Sequence, residues 1–363
     1  MFPKIAIIYL SYGSHEFLEL FLESLKSITY PKDRLQILII DNPHPQKGWI
    51  EKEVKEKFLP LSGKELPDII YLKQEKNIGF AGGNNVGFKW AFDNDCDYVF
   101  LHNPDACATP GSLETMIEVL EKDKNIALAQ PLIKLHPEND LVNTTGNKYH
   151  YLGFGYCGDF RKKVKDINIK NIDEPGFVSG AALLGRVDFL KEHGGLDEDY
   201  FAYHEDLELS LRAKMLGYKI AVLPEAVFYH QYEFSRNKNK YYFMERNRWI
   251  VLLTYYKWPT LILLLPILLV SEIGLVFISL LGGWFVQKIK ANIWFFNFKN
   301  LKLIRQKRKK IQKIRKISDK QLLGNAVAKI KFSDSEIDTP LLRYVANPIS
   351  TLYWTIVKHI ILW

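Results

Sequence analysis

Apolar runs in the first third of the chain are short, and several end on a polar corner. Residues 4–10, Lys-Ile-Ala-Ile-Ile-Tyr-Leu, read as a buried strand. Ser14 can cap a following helix, in which Phe17, Leu18, Phe21, Leu22, Leu25 and Ile28 share one face. Pro31 follows its end. A second strand over 35–40 stops at Asp41-Asn42-Pro43. A polar helical stretch over 48–58 and a short strand over 69–72 come next. A helix is predicted from about Asn84 to Phe92. Tyr98-Val-Phe-Leu101 is another strand, and it stops at His102-Asn103-Pro104-Asp105. A helix over 111–122 and a strand over 126–130 complete this part. Strand, helix and strand within about 40 residues favour a parallel sheet, so the predicted class is α/β, an open, mostly parallel sheet flanked by helices.

The pattern then loosens. Residues 132–175 are polar and irregular, with Tyr and Gly enriched. Small residues dominate 177–185. A helix over 205–216 is closed by Gly217, with Asp206 in its first turn, where the helix dipole favours an ionised carboxylate. Glu208 and Arg212, four apart, fit a surface ion pair. Strands over 219–223 and 226–230 follow, the second ending at His230.

Past Arg248 the character changes. Only Lys257 and Glu272 carry charge in 249–286. The almost wholly apolar stretch 260–286 would span about 40 Å as one helix, enough to cross a bilayer with tilt. It leads into 287–316, which holds twelve Lys or Arg and no Asp or Glu. Subtracting those twelve from the net +8 leaves −4, so the basicity is local. Trp294, Phe295, Phe296 and Phe298 interleave with the cations, a composition that fits an anionic membrane interface better than nucleic acid. A final apolar helix is predicted over 344–363. Two regions are therefore expected: 1–248, the α/β part, and 249–363, helical and membrane-associated. Three scattered cysteines give no CxxC pair and fit a reducing compartment, and the opening residues read as a strand and not as a signal peptide.

Candidate chemistry lies at the predicted strand ends, because ligands of open α/β sheets sit beyond the carboxyl edge. Asp105 could hold a hard cation, or could serve a turn. Asp41 could accept hydrogen bonds from a base or ribose, or could cap a turn. Asn77-Ile-Gly-Phe-Ala-Gly-Gly-Asn-Asn-Val-Gly87 allows close backbone approach, but it is neither GxGxxG after the first strand nor a GxxxxGK[ST] loop.

Together these segments resemble the inverting, GT-A-fold glycosyltransferases of family 2, and their rhamnosyltransferase-like members in particular. The resemblance covers about residues 4–255. It is carried by Ile39-Ile-Asp-Asn42, the 77–87 segment, Asn103-Pro-Asp105, Val178-Ser-Gly-Ala-Ala182, Phe201-Ala-Tyr-His-Glu-Asp-Leu-Glu-Leu-Ser-Leu-Arg212 and His230. It implies that Asp41 reads the uracil or thymine edge of the donor. Tyr9, Ser11, Asn77, Gly79, Ala81, Gly82, Asn84, Asn103 and Gly180 would line the nucleotide-sugar pocket. Asp105 matches the second acid of the family's Asp-x-Asp motif, and with His230 it would hold Mg²⁺ or Mn²⁺. Asp206 matches the catalytic base, with Glu205 beside it. Asn103 stands where the motif's first acid is usual.

The implied activity is single-displacement transfer of a rhamnose-like or other hexose from a UDP- or dTDP-sugar. The acceptor would be a hydroxyl of a membrane-held, lipid-linked saccharide in cell-surface glycan synthesis. Expected partners are the donor, that acceptor and an anionic membrane surface, with no nucleic acid. The expected location is the cytosolic face of the cytoplasmic membrane, with 249–286 re-entrant, hairpin or in-plane. One rival is a non-catalytic nucleotide-sugar-binding membrane scaffold of the same fold. A nucleotidyltransferase would want a Lys or Arg soon after the first strand, where this chain has Ser11-Tyr-Gly-Ser-His.

Overall fold

The computed structural model describes residues 2–168, 174–232, 238–331 and 340–363. Residues 169–173 of the irregular stretch lie outside the described residues. The chain divides into two compact units. The first comprises Met1–Gly146, Gly158–Leu209 and Tyr218–Tyr232; the second comprises Asn147–Cys157, Ser210–Gly217 and Glu233–Trp363.

The chain opens with β1 (Ile5–Tyr12), α1 (Leu18–Ser27), β2 (Leu35–Asn42), a short α2 (Glu51–Glu53) and β3 (Asp68–Lys73). Next come α3 (Gly79–Asp93), β4 (Tyr98–His102), β5 (Ala106–Ala108), α4 (Ser112–Lys122), β6 (Ile126–Leu135) and β7 (Val142–Thr144). After the small pair β8 (Lys148–Tyr149) and β9 (Gly155–Tyr156) come β10 (Ala182–Arg186), α5 (Val187–His193), α6 (Glu205–Met215) and β11 (Lys219–His230). The main sheet runs β3-β2-β1-β4-β10-β6-β11-β5, with β7 on β6. From β3 to β4 all neighbours are parallel. β10 then enters antiparallel to both β4 and β6, and β11 runs parallel to β6. This is the predicted class, with a mixed second half.

Alternation along β1 builds both layers. Ile5, Ile7 and Tyr9 join Leu18, Phe21 and Leu25 of α1 in one core. Ile8 and Leu10 face α3, where a Cβ on Gly87 or Gly83 would lie 2.7 or 2.4 Å from their side chains. This corrects the expected helix start at Asn84. The glycines belong to the helix, which begins at Gly79, because close packing on β1 outweighs their low helix propensity. The two strands expected at 219–223 and 226–230 are one strand with a register shift between Leu223 and Val227, where Pro224 cannot donate to the ladder.

The second unit contains α7 (Asn239–Tyr255), α8 (Trp258–Leu281), α9 (Phe285–Trp294), α10 (Phe298–Ile314), α11 (Asp319–Leu322) and α12 (Asn347–Ile360). The apolar run 260–286 breaks at Gly282-Gly283, with Gly283 at φ +66°, so α8 ends sooner than expected. Inside this unit Tyr151 stacks on Trp354 with ring centroids 4.5 Å apart. Three buried charges and the half-buried Glu272 form one network: Lys288 donates to Glu245 (2.5 Å) and Glu272 (2.6 Å), and Arg248 pairs with the same two carboxylates.

Candidate active site

The site residues collect at the carboxyl edge of the first unit's sheet. At the ends of β1 and β2, Ser11 and Asp41 are register partners, both fully buried. Asp41 Oδ2 accepts from the Ile50 N–H (2.9 Å) and the Tyr71 hydroxyl (2.6 Å). Asp41 Oδ1 and Ser11 Oγ have no partner. Burial raises the Asp41 pKa, and Tyr71, Ile50 and the adjacent Ser11 hydroxyl oppose that rise. A buried acceptor left open beside a buried hydroxyl suits an N–H of a ligand, since an unmet polar atom is costly. Tyr9, expected to line the pocket, is instead a core residue. Its ring stacks on Phe21 at 4.0 Å and its hydroxyl bonds Ser14, because the strand alternation turns it toward α1.

Asn42 connects this corner to the glycine-rich segment, donating to the Gly79 carbonyl (3.2 Å). Asn77 caps the start of α3 by accepting from the Gly79 N–H (2.9 Å). Ala81, Gly82 and Asn84 are buried, and Asn84 bonds back to the Phe80 carbonyl. The first N–H groups of α3, from Phe80 and Ala81, point at the carbonyl of Phe201 (2.7 and 3.1 Å). Gly79 is at φ +77°, and any Cβ there would lie 2.5 Å from that carbonyl. The residue type is thus set by a protein contact.

Phe201 begins a strained segment: Phe201, Tyr203 and His204 all have positive φ (63°, 66° and 69°). Left-handed backbone at bulky residues costs roughly 1–3 kcal/mol each and clusters at functional sites. The strain delivers Glu205 and Asp206 to the first turn of α6. Asp206 Oδ2 accepts from the Gly180 N–H (3.0 Å) and Oδ1 from the Leu207 N–H (2.7 Å). Burial raises its pKa to about 6, with those two N–H groups holding it down. Glu205 is more deeply enclosed, with Oε2 unpaired, and burial and then the Asp206 charge push it well above the usual range. Of the two, Asp206 is the carboxylate that backbone donors support in its charged form.

The residue after Gly180 reaches the other half. The Ala181 carbonyl accepts from the Asn103 N–H (3.0 Å). His102, fully buried and held neutral by burial with its pKa near 4, anchors that corner. It donates from Nδ1 to the Asn103 carbonyl (2.9 Å) and accepts the Ser24 hydroxyl at Nε2 (2.8 Å). The Asp105 carbonyl accepts from the Gln231 N–H (2.7 Å). Asp105 Oδ1 then lies 3.0 Å from His230 Nε2, and His230 Nδ1 lies 3.1 Å from Asn143 Oδ1.

Among the described residues no three His, Cys, Asp or Glu cluster as a metal cage. The Asp105–His230 pair nevertheless fits a cation that takes its other ligands from a substrate. Asp105 Oδ1 and His230 Nε2, 3.0 Å apart, have the separation of two adjacent ligands on one cation. Carboxylate and substrate phosphate together are the usual setting for Mg²⁺. Asn143 Nδ2 is buried without a partner.

Sequence reasoning missed Asn143, Tyr71 and His102 as parts of this network. Asn143 lies 87 residues from His230 and Tyr71 lies 30 from Asp41, so no local pattern marks either.

Residues 3–251 match the family model described as glycosyltransferase-like family 2. The chain belongs to that family. Among similar proteins of the family is the N-acetylglucosaminyl-diphospho-decaprenol L-rhamnosyltransferase of Mycobacterium tuberculosis, 25% identical over 251 residues, covering 65% of this chain and 78% of that one. A probable glucomannan 4-beta-mannosyltransferase of rice is 24% identical over 219 residues, 60% of this chain. The matched part spans only 36% of that relative's length. The fold is also that of a mannosyltransferase from Pyrobaculum calidifontis solved with GDP-Man and Mn²⁺, at TM-score 0.51 and 12% identity, covering 86% of this chain and 85% of that one. The GT-A arrangement expected from the resemblance is thus present, and the family is one of glycosyl transfer.

Proposed function

We propose that this family 2 glycosyltransferase inverts the anomeric centre in a single displacement. The donor is a UDP- or dTDP-sugar, rhamnose-like or another hexose. The acceptor is a hydroxyl of a membrane-held, lipid-linked saccharide bound for the cell surface. The carrying observation is the Gly180-Ala181 bridge: one peptide's N–H supports Asp206, and the next carbonyl holds the Asp105 corner. A base and an anion-handling corner are thereby fixed on one short stretch of backbone.

In this proposal the open Asp41 Oδ1 accepts the N3–H that uracil and thymine share. Asp105 and His230 would hold Mg²⁺ or Mn²⁺, which when bound neutralises charge on the departing diphosphate. Asp206 takes the acceptor's proton as the new bond forms; a base titrating near 6 is largely ionised at neutral pH yet still basic enough to serve. Burial and the Asp206 charge shift Glu205 beside it toward its protonated form. Residues 1–248 are assigned to catalysis on the cytosolic face, and 249–363 to the membrane. The lipid-bearing acceptor in the mycobacterial relative's name and the Mn²⁺ in the archaeal structure support these choices.

The test is a donor panel with Mn²⁺ or Mg²⁺, read as nucleoside diphosphate release, for wild type and Asp206→Asn. Transfer by wild type alone, with donor binding retained in the variant, is expected. Equal turnover would remove Asp206 from the mechanism.

A further inference from the structure

By length and composition α8 could cross a bilayer; its 24 residues span about 36 Å. Its surroundings within the second unit speak against a crossing. One face, with Thr260, Leu264, Ile267, Leu268, Leu275 and Ile278, is buried in the protein. The opposite face is an uninterrupted exposed stripe of Ile262, Leu265, Leu269, Ile273, Phe277 and Leu280, with Leu269 57% and Ile273 61% exposed.

Glu272, past the helix midpoint, is tied to Arg248 of α7 and Lys288 of α9. The chain then continues back toward the start of α8. Arg308 of α10 donates to the carbonyls of Leu253 (2.7 Å) and Tyr256 (2.6 Å), and Gln312 to those of Thr254 and Tyr255, immediately before α8. Asp319 accepts from the Lys257 N–H (2.8 Å) and the Thr260 hydroxyl (2.5 Å). The α9–α10 arm therefore runs from the level of Glu272 to the start of α8. On the way α10 exposes Lys299, Lys302, Arg305, Lys309, Lys310 and Lys313. If α8 crossed, this arm would have to carry exposed lysines through hydrocarbon, which is strongly disfavoured.

We infer that α8 lies in the plane of one leaflet of an anionic phospholipid bilayer. Its apolar stripe is sunk among acyl chains and α10 meets the lipid phosphates. The inference rests on the membrane-held reading above and specifies its geometry. Leu352, Ile356 and Ile360 of α12 extend the exposed apolar surface. Between α8 and α12 lies an apolar cavity of about 180 Å³, lined among others by Phe154, Ile267, Val270, Leu275, Val345 and Ile349. Val270, Val345 and Ile349 are themselves about half exposed, so the cavity opens onto that surface. An engineered apolar cavity of roughly 150 Å³ admits benzene, so this one has room for a short length of acyl chain. A leaflet suits both surfaces at once, as apolar face and adjoining basic helix are the marks of an interfacial helix. A second copy could cover the stripe, but it would add another basic run to this one.

The experiment uses the full chain and vesicles of phosphatidylcholine, with or without 30% phosphatidylglycerol by choice of composition (about one lipid in three, enough to set a negative surface potential). Flotation is followed by depth measurement, with an environment-sensitive fluorescent amino acid placed in turn at positions 262, 269, 273 and 280 and quenched by lipids brominated at known depths. Expected are binding at least about tenfold stronger to anionic vesicles, following the charge dependence of basic segments, and one shared shallow depth at all four positions. Leu269→Glu with Ile273→Glu, both outward-facing, should lower binding by at least about tenfold while leaving the circular dichroism unchanged. Depths that pass through the bilayer centre between 262 and 280 would overturn the in-plane geometry while keeping the membrane reading. No flotation would overturn both. Labels buried without vesicles, with a dimeric mass by light scattering, would assign the stripe to a second copy and overturn the inference.

Discussion

Two acid pairs in this chain meet opposite fates. Glu205 and Asp206 are enclosed with backbone N–H groups as the donors that hold Asp206, and both have raised pKa values. Glu245 and Glu272 are bound to Arg248 and Lys288; at Glu245 burial pushes the pKa up, but the two cations more than offset it and hold it well below the carboxylate range. The same side chain is thus poised to exchange a proton in one place and locked as a permanent anion in the other. At Asp206 the Gly180 and Leu207 N–H groups lower the pKa without overcoming burial, whereas at Glu245 the two cations overcome it. Burial alone does not mark an acid as functional; burial that leaves its titration near neutral does.

The contrast sets an order of expected effects. Lys288→Met leaves Glu245 and Glu272 to share a single cation, Arg248, inside the second unit. It should lower unfolding free energy by about 3–5 kcal/mol, the cost of breaking a buried pair, read by chemical denaturation. A loss below about 1 kcal/mol would show that the network is not truly sequestered. Asp206→Asn should do the reverse, cutting turnover at least about a hundredfold while leaving the denaturation midpoint unchanged or higher.

The pH profiles should diverge as well. Asp206 must be ionised to accept a proton, so kcat/KM should rise about tenfold per pH unit up to an apparent pKa near 6, belonging to the Glu205–Asp206 pair, and level off above it. A flat profile from about pH 5 to 8 would break this assignment. For stability the signs oppose each other. Because the Asp206 pKa is raised, its contribution favours folding at acid pH and is lost as pH climbs from 3.8 through about 6. Because the Glu245 pKa is lowered, its contribution is present above 4.5 and is lost only as acid drives the pH well below that. The smallest effect is expected for Tyr71→Phe, which removes one hydrogen bond to Asp41. Donor KM should rise about fivefold with kcat nearly unchanged, the scale of about 1 kcal/mol.

Much of this was legible in the chain because parallel strands are buried on both faces and end abruptly. Apolar runs that stop at Asp41, at Asn103-Pro-Asp105 and at His230 mark the carboxyl edge of the sheet. The glycine-rich segment was harder. Four glycines in nine residues argue against a helix locally, and the closeness of Leu10 and Ile8 to Gly83 and Gly87, with Phe201 against Gly79, makes a glycine-lined helix the favourable choice. Tyr9 was misplaced by one step of strand alternation, which is enough to move a side chain from ligand to core. Tyr71 and Asn143 left no trace in the pattern, since their roles exist only through partners on other strands. Read by hydropathy the long apolar run is one helix, and neither its break at Gly282-Gly283 nor the return of α10 to the beginning of α8 follows from that pattern.

The Phe201 carbonyl, seated on the first N–H groups of α3, has a consequence for how this protein comes alive after synthesis. Asp206 is held in place by segments at 79–81, 179–181 and 201–206, which are far apart in the chain. Partly assembled sheets lack at least one of those supports, and the strained backbone at 201–204 has nothing to keep it there. Contacts of such high sequence separation are among the last to close. Catalytic competence should therefore emerge at the end of folding, after most of the secondary structure, and the first turnover serves as a clock for the completed sheet.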